Sequence, residues 1–174
     1  MAHLPILVAP DPRLKLKAKA VEAVDAPLRR LMDDMLETMY AAPGIGLAAP
    51  QVGVSKRLLV IDLAKDDEPK APLCMVNPEL TWVSDEENTY EEGCLSVPEH
   101  YADVVRPARV RVRFVDRNNE KREIDADGLL ATVIQHEMDH LDGVLFVDHL
   151  TSLKRNMILR KLVKARKTAG SDAL

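Results

Sequence analysis

Gln135-His136-Glu137-Met138-Asp139-His140 sets two imidazoles four residues apart with a carboxylate between them. On a helix, residues four apart lie one above the other, so this HExxH pattern can grip a cation with two nitrogens. At about 100° per residue, with His136 at zero, His140 falls near ~40° and Glu137 near ~100°. The carboxylate can therefore reach a water held beside the imidazoles. Leu129 and Val133 fall near ~20° and ~60° on the same face, an apolar wall for a substrate. Leu130, Ile134, Met138 and Leu141 gather between about 120° and 200°. A helix apolar on two sides is buried on both, and buried histidines with a glutamate then need a purpose.

A catalytic metal site of this kind takes three protein ligands and keeps one position open. The pattern HExxHxxGxxH fails here, because Gly143 fits but Phe146 stands at its last position. No Glu follows Glu137, which closes a second route. Asp148 and His149 come after the turn at Gly143, and the sequence leaves their direction undetermined. Upstream, Cys94 stands in Glu91-Glu92-Gly93-Cys94-Leu95-Ser96. As a thiolate it would be a strong third ligand; an inert core residue is the competing reading. Cys74, inside LCMVNP, is read as such a core residue.

Three segments stand in order: GIGLAAPQ at residues 44–51, EGCLS at 92–96 and QHEMDHL at 135–141. In these, and in PDPRL and DGLLA, the chain resembles the peptide deformylase family over nearly its whole length. The resemblance implies that Cys94, His136 and His140 hold one divalent ion, Fe(II) natively, with Zn, Ni or Co possible in preparations. It makes Glu137 the general base and then the general acid. The Gln51 side-chain amide and the Leu95 N–H would stabilise the oxyanion. The backbones of Ile45, Gly46 and Gly93 would pair with an extended peptide. A methionine pocket would draw on Ile45, Tyr90, Leu129, Val133 and His136. The implied reaction removes the formyl group from N-formylmethionyl peptides on nascent chains and releases formate. Some members carry Arg at the entrance where this chain has Tyr101, so preference beyond the first residue stays open.

The same residues bear on other chemistries. GIGLAA fits a form of the dinucleotide fingerprint, but it follows a helix, meets Pro50 and precedes a strand, unlike that motif. A general metallopeptidase would cut internal bonds or free amino termini. A cysteine hydrolase would use Cys94 with a His as base and survive chelators. A copper electron-transfer site also uses two His and one Cys, yet leaves Glu137 without a role.

The elements that must position these residues are read from periodicity. Residues 25–42 form an amphipathic helix in which Leu28, Leu31, Met32, Met35 and Met39 recur at helical spacing. Asp25 caps it, Pro27 suits its first turn, and Pro43 with Gly44 ends it. RLLVIDL, LCMVNPEL and TWVSD read as strands, with an acidic surface loop at 65–70. Val110, Val112 and Phe114 alternate with Arg111 and Arg113 in a half-buried strand. Asn118-Asn119 turns the chain, and KREIDA returns. The HExxH helix spans about residues 127–142 and stops at Gly143. A basic amphipathic helix follows at 153–167, and the last residues fray. Strands in runs with helices set apart argue for an α+β fold. Antiparallel or mixed sheets would pack around the central metal-binding helix, flanked by an N-terminal and a C-terminal helix. One catalytic domain over residues 1–174 is expected.

Hydrophobic residues at 47% and charged residues at 30% fit a soluble globular protein. The opening lacks a signal-peptide pattern, and no apolar run is long enough for a bilayer. Two cysteines are too few for a disulfide scaffold and suit a reducing, cytoplasmic setting. Net charge is −4, but from Thr151 onward seven basic residues face one acidic, leaving the tail +6 and the rest −10. The tail reads as a solvated helix face or as a dock for ribosomal RNA through Lys154, Arg155, Arg160, Lys161, Lys164, Arg166 and Lys167. A monomer without membrane or DNA partners is expected.

Overall fold

The computed structural model describes residues 2–172 of the chain. Strand β2 (Leu58–Ile61) buries all four of its side chains, because both faces of its sheet are covered. Leu59 and Ile61 pack with helix α2 (Gly128–Leu141), while Leu58 and Val60 pack with helix α1 (Ala26–Ala41). The apolar stripe of α1 is the one its spacing predicts, with Met32, Met35 and Met39 fully buried. Asp25 caps α1 by accepting from the Leu28 N–H at 3.0 Å, an interaction worth about 1 kcal/mol.

Five antiparallel strands form the main sheet in the order β1-β2-β3-β6-β7. They are β1 (Gly46–Ala48), β2, β3 (Leu73–Val83), β6 (Arg109–Val115) and β7 (Lys121–Asp127). LCMVNPEL and TWVSD, read as separate strands, belong to one strand up to Val83. Register shifts between Val76 and Glu79 and between Leu80 and Trp82 keep it paired with β6. At the first shift Asn77 takes φ 51, and its amide bonds both the N–H and the carbonyl of Val21. The bulge is thus fixed by side-chain hydrogen bonds.

The periodicity reading missed a long hairpin, β4 (Glu87–Cys94) and β5 (Val97–Pro107), which makes a second sheet. Only Glu92, Val97, Val104 and Arg106 in its strands are buried, and two of these are charged, so no apolar alternation marks it. Cys94 therefore ends a strand, and Pro98 lies within β5.

Helix α2 packs against both sheets, which is why it is apolar on two sides. Ile134 and Leu141 meet Val110, Val112 and Phe114 of the main sheet. Gly143 follows α2 at φ 75, where a Cβ would run into the Lys15 carbonyl. Only glycine fits there. Helix α3 (Ser152–Asp172) docks Ile158 and Leu162 onto a cluster with Val97, Val104 and Phe146. It runs past the expected end at residue 167, since no proline interrupts it, so residues 168–172, expected to fray, are helical; residues 173 and 174 lie outside the described residues. No helix among the described residues is long and apolar enough to cross a membrane.

Candidate active site

The end of β4 and the middle of α2 bring three metal-type donors together. The β4–β5 register shifts between Gly93 and Cys94, at the tight end of the hairpin. His136 and His140 stand one turn apart on α2, with ring centroids 5.1 Å apart and planes at 72°. One ligand atom from each of Cys94, His136 and His140 lies within 4.8 Å of the others. Cys94 Sγ is 3.4 Å from His140 Nε2. A sulfur at about 2.3 Å and a nitrogen at about 2.0 Å from one tetrahedral cation would stand about 3.5 Å apart. The donors fit a divalent transition ion in spacing and in chemistry. Asp148 instead pairs with Lys15, and His149 Nε2 lies 2.8 Å from Asp139 Oδ2, so neither joins the cluster.

Behind the donors lies a buried ionic network that the sequence reading did not find. His136 Nδ1 meets Glu92 Oε1 at 2.8 Å, and Arg106 grips the same carboxylate through Nε at 2.7 Å and Nη2 at 3.0 Å. Arg106 Nη1 donates to Asp139 Oδ2 at 2.9 Å. Burial alone would raise the Glu92 carboxyl; the bonds from His136 and Arg106 outweigh it and hold it at about 2. Glu92 is thus an anion that fixes which His136 nitrogen carries the proton. Arg106 lies 14 residues from Glu92 in sequence, and only the β4–β5 pairing makes them neighbours.

Glu137 has the opposite environment. Burial pushes its carboxyl up to about 7, despite the counteracting charge of His136. Its Oε2 is buried without a partner among the described residues, as is His140 Nδ1. Burial would lower both imidazoles. At His136 the bonds to Cys94 and Glu92 reverse this and raise it, whereas the charge on His136 lowers His140 further. Cys74 sits in the α1 core, where burial raises its thiol to about 11. It is inert by environment.

A cavity of about 780 Å³ opens over this cluster. Gln51, Leu95, Cys94, His136 and Glu137 line it, and so do Ile45, Gly46, Tyr90, Gly93, Leu129 and Val133. His140, 1% exposed, completes the donor cluster from within. Of the main sheet β1 is an edge, and in the hairpin β4 pairs only with β5. Two strand edges therefore border the cavity, a geometry that accepts an extended chain. Gln51 is 1% exposed; its Oε1 accepts from the Ala48 N–H at 2.9 Å. Its Nε2 donates to Ser96 Oγ at 3.1 Å and lies 3.5 Å from Cys94 Sγ. Thr132 and Tyr101 also line the cavity. Thr132 carries no sequence signal that would single it out, and Ser96 stands inside EGCLS without a role read for it.

The chain matches the family model described as polypeptide deformylase over residues 3–156. It is 54% identical over 174 residues, all of both chains, to the peptide deformylase of Rhizobium meliloti (strain 1021). It is 59% identical over 169 residues to that of Phenylobacterium zucineum (strain HLK1), covering 97% of this chain and 100% of the relative. The crystal structure of peptide deformylase from Ehrlichia chaffeensis superposes with TM-score 0.92 at 41% identity, covering 97% of this chain and 99% of that one.

Proposed function

The chain belongs to the polypeptide deformylase family and to the enzyme class peptide deformylase, and from that premise we propose that it is a metal-dependent hydrolase removing the formyl group from N-formylmethionyl nascent polypeptides. One observation carries the reading: a partnerless buried carboxylate oxygen of Glu137 beside a cavity whose wall holds one sulfur and one imidazole of the donor cluster. Cys94, His136 and His140 would hold a divalent ion, Fe(II) by family resemblance, with Zn, Ni or Co as substitutes. Such an ion lowers the pKa of a bound water and polarises a carbonyl oxygen.

The remaining work falls to the chain's own groups. Glu137, whose buried Oε2 has no partner among the described residues, is placed to accept a proton and return it. It takes the proton from the attacking water and delivers it to the amine nitrogen as the formyl C–N bond breaks. Formate and a free methionyl terminus result. The Gln51 amide and the Leu95 N–H donate to the oxygen on which negative charge develops. Ile45 and Gly46 on one side and Gly93 on the other align the peptide between the edges of β1 and β4. The methionine side chain enters among Ile45, Tyr90, Leu129, Val133 and His136.

We assign residues 1–174 to one catalytic domain acting as a cytoplasmic monomer. The basic face of α3 is offered to ribosomal RNA. Ile158 and Leu162 of α3 belong to the core, so charge reversal at Lys154, Arg160, Lys161 and Lys164 tests this better than deletion of the helix. Ribosome co-sedimentation that survives the reversal removes the contact.

The main test is formate release from formyl-Met-Ala-Ser by protein purified anaerobically with Fe(II). Chelation should abolish release, and added Ni or Co should restore it. Release that persists under chelation would favour a Cys94 nucleophile. Cleavage of unformylated peptides without formate would make the protein a general metallopeptidase.

A further inference from the structure

Two residues that line the cavity, Thr132 and Tyr90, carry hydroxyls with no hydrogen-bond partner among the described residues. A threonine inside a helix commonly bonds back to a carbonyl one turn earlier. Thr38 does so to Asp34 at 2.7 Å and Thr168 to Lys164 at 3.1 Å. Thr132 of α2 does not, although it is only 5% exposed and lines the cavity. Tyr90 of β4 also lines the cavity, and its Oη lies 3.8 Å from where a Cβ on Gly128 would stand. Gly128 and Thr132 are four residues apart on α2, so the Tyr90 hydroxyl stands about one helical turn from Thr132. Around them Ile45, Leu129 and Val133 are apolar.

A wall of this kind suits an apolar side chain with a hydrogen-bond acceptor partway along it. On the reading above, this is the pocket for the first side chain of the peptide. The thioether of methionine is a weak acceptor, and norleucine offers none. Oxidation to methionine sulfoxide installs a strongly polar oxygen at the same place. A wholly apolar pocket would strip that oxygen of water without compensation. Thr132 and Tyr90 can each donate to it. We propose that this pocket accepts formylmethionine sulfoxide termini as well as formylmethionine, through hydrogen bonds from the Thr132 and Tyr90 hydroxyls.

The test compares kcat/KM for formyl-Met-Ala-Ser, its methionine sulfoxide analogue and its norleucine analogue. Metal-loaded wild type, Thr132→Val, Tyr90→Phe and Thr132→Ser are assayed side by side. The readout is the ratio of substrates within each protein, so a general loss of activity or metal cancels. Expected is a wild-type sulfoxide-to-methionine ratio no lower than about one tenth. That ratio should fall about 3–10-fold in Thr132→Val and in Tyr90→Phe, and Thr132→Ser should restore most of it. The norleucine-to-methionine ratio should move less than about twofold, as expected for a weak acceptor. A sulfoxide ratio unchanged in both hydroxyl deletions overturns the inference. In that case turnover of the methionine peptide leaves the deformylase reading standing, whereas no formate from any peptide defeats that reading itself.

Discussion

His136 meets Glu92 through Nδ1 at 2.8 Å, which leaves its Nε2 on the side of Glu137, 3.8 Å from that carboxylate's Oε1. Glu92 in turn lies in the two-pronged grip of Arg106. The orientation of one proposed ligand thus depends on a carboxylate and a guanidinium that never line up in sequence. Glu92→Ala should weaken metal binding about 10–100-fold, as loss of a partner behind a ligating histidine typically does. It should also destabilise the metal-free protein by about 3–5 kcal/mol, because Arg106 is left buried with Asp139 alone. Chelator competition and urea unfolding measure the two effects. Metal affinity within twofold of wild type would refute the orienting role.

Glu137 presents activity and stability as opposing demands. Glu137→Gln should retain metal, since none of the three donors changes, yet lose about 10²–10⁴-fold in deformylation. The folded carboxyl is raised to about 7 from an ordinary value of 4.5. Its stabilising contribution is therefore complete below the unfolded value and lost as pH rises through the folded one. Above that range the folded metal-free protein carries a buried charge with a partnerless oxygen. Metal-free Glu137→Gln should then unfold at higher urea concentration than metal-free wild type at about pH 8, with the gap closing near about pH 4. Near wild-type turnover in the variant would overturn the base assignment.

Asp62 supplies a pH effect remote from the metal. It accepts from Tyr40 Oη at 2.6 Å and from the N–H groups of Ala64 and Ala71 at 2.9 and 3.0 Å. Burial would raise its carboxyl, but these donors prevail and hold it below the ordinary 3.8. Its stabilisation is present above the unfolded value and disappears as pH falls through the folded value. Asp62→Asn should lower the urea midpoint at about pH 7 and lose less on going to about pH 3 than wild type does. Equal losses in the two proteins would show that Asp62 does not carry the effect.

What the sequence made legible follows from the range of each interaction. His136, Glu137, His140, Leu129 and Val133 sit within three turns of one helix, so angular spacing alone places them on one face. Asp25 and the methionines of α1 are equally local. The β4–β5 hairpin escaped because its outer face is solvated and its inner face contributes little apolar pattern. With it went Arg106, a residue type that reads as surface yet is 5% exposed. Its burial depends on Glu92 and Asp139, fixed by strand register and by packing of α2. Thr132 escaped for another reason: a helical threonine has a ready backbone partner, and only in the folded chain is that bond seen to be unmade.

Two glycines separate an effect on chemistry from an effect on folding. A Cβ on Gly46 would stand 2.8 Å from Glu137 Oε1 and 3.0 Å from its Cγ and Cδ. Something must shift, and the flexible carboxylate yields more easily than β1, which is paired to β2 at that residue. Displacing a catalytic group by about 1 Å costs about 10²-fold in rate. Gly46→Ala should therefore keep a melting temperature close to wild type while deformylation falls by about that factor. Gly143→Ala has the reverse problem. There the new methyl runs into the Lys15 backbone at φ 75, and neither segment is a side chain that can swing aside. It should cost at least about 1–3 kcal/mol of stability, while the folded fraction keeps wild-type turnover per bound metal. Thermal melts and formate release on the same preparations read both outcomes. A Gly46→Ala protein of normal activity would mean that Glu137 tolerates displacement, and its proposed role as a positioned base would fall.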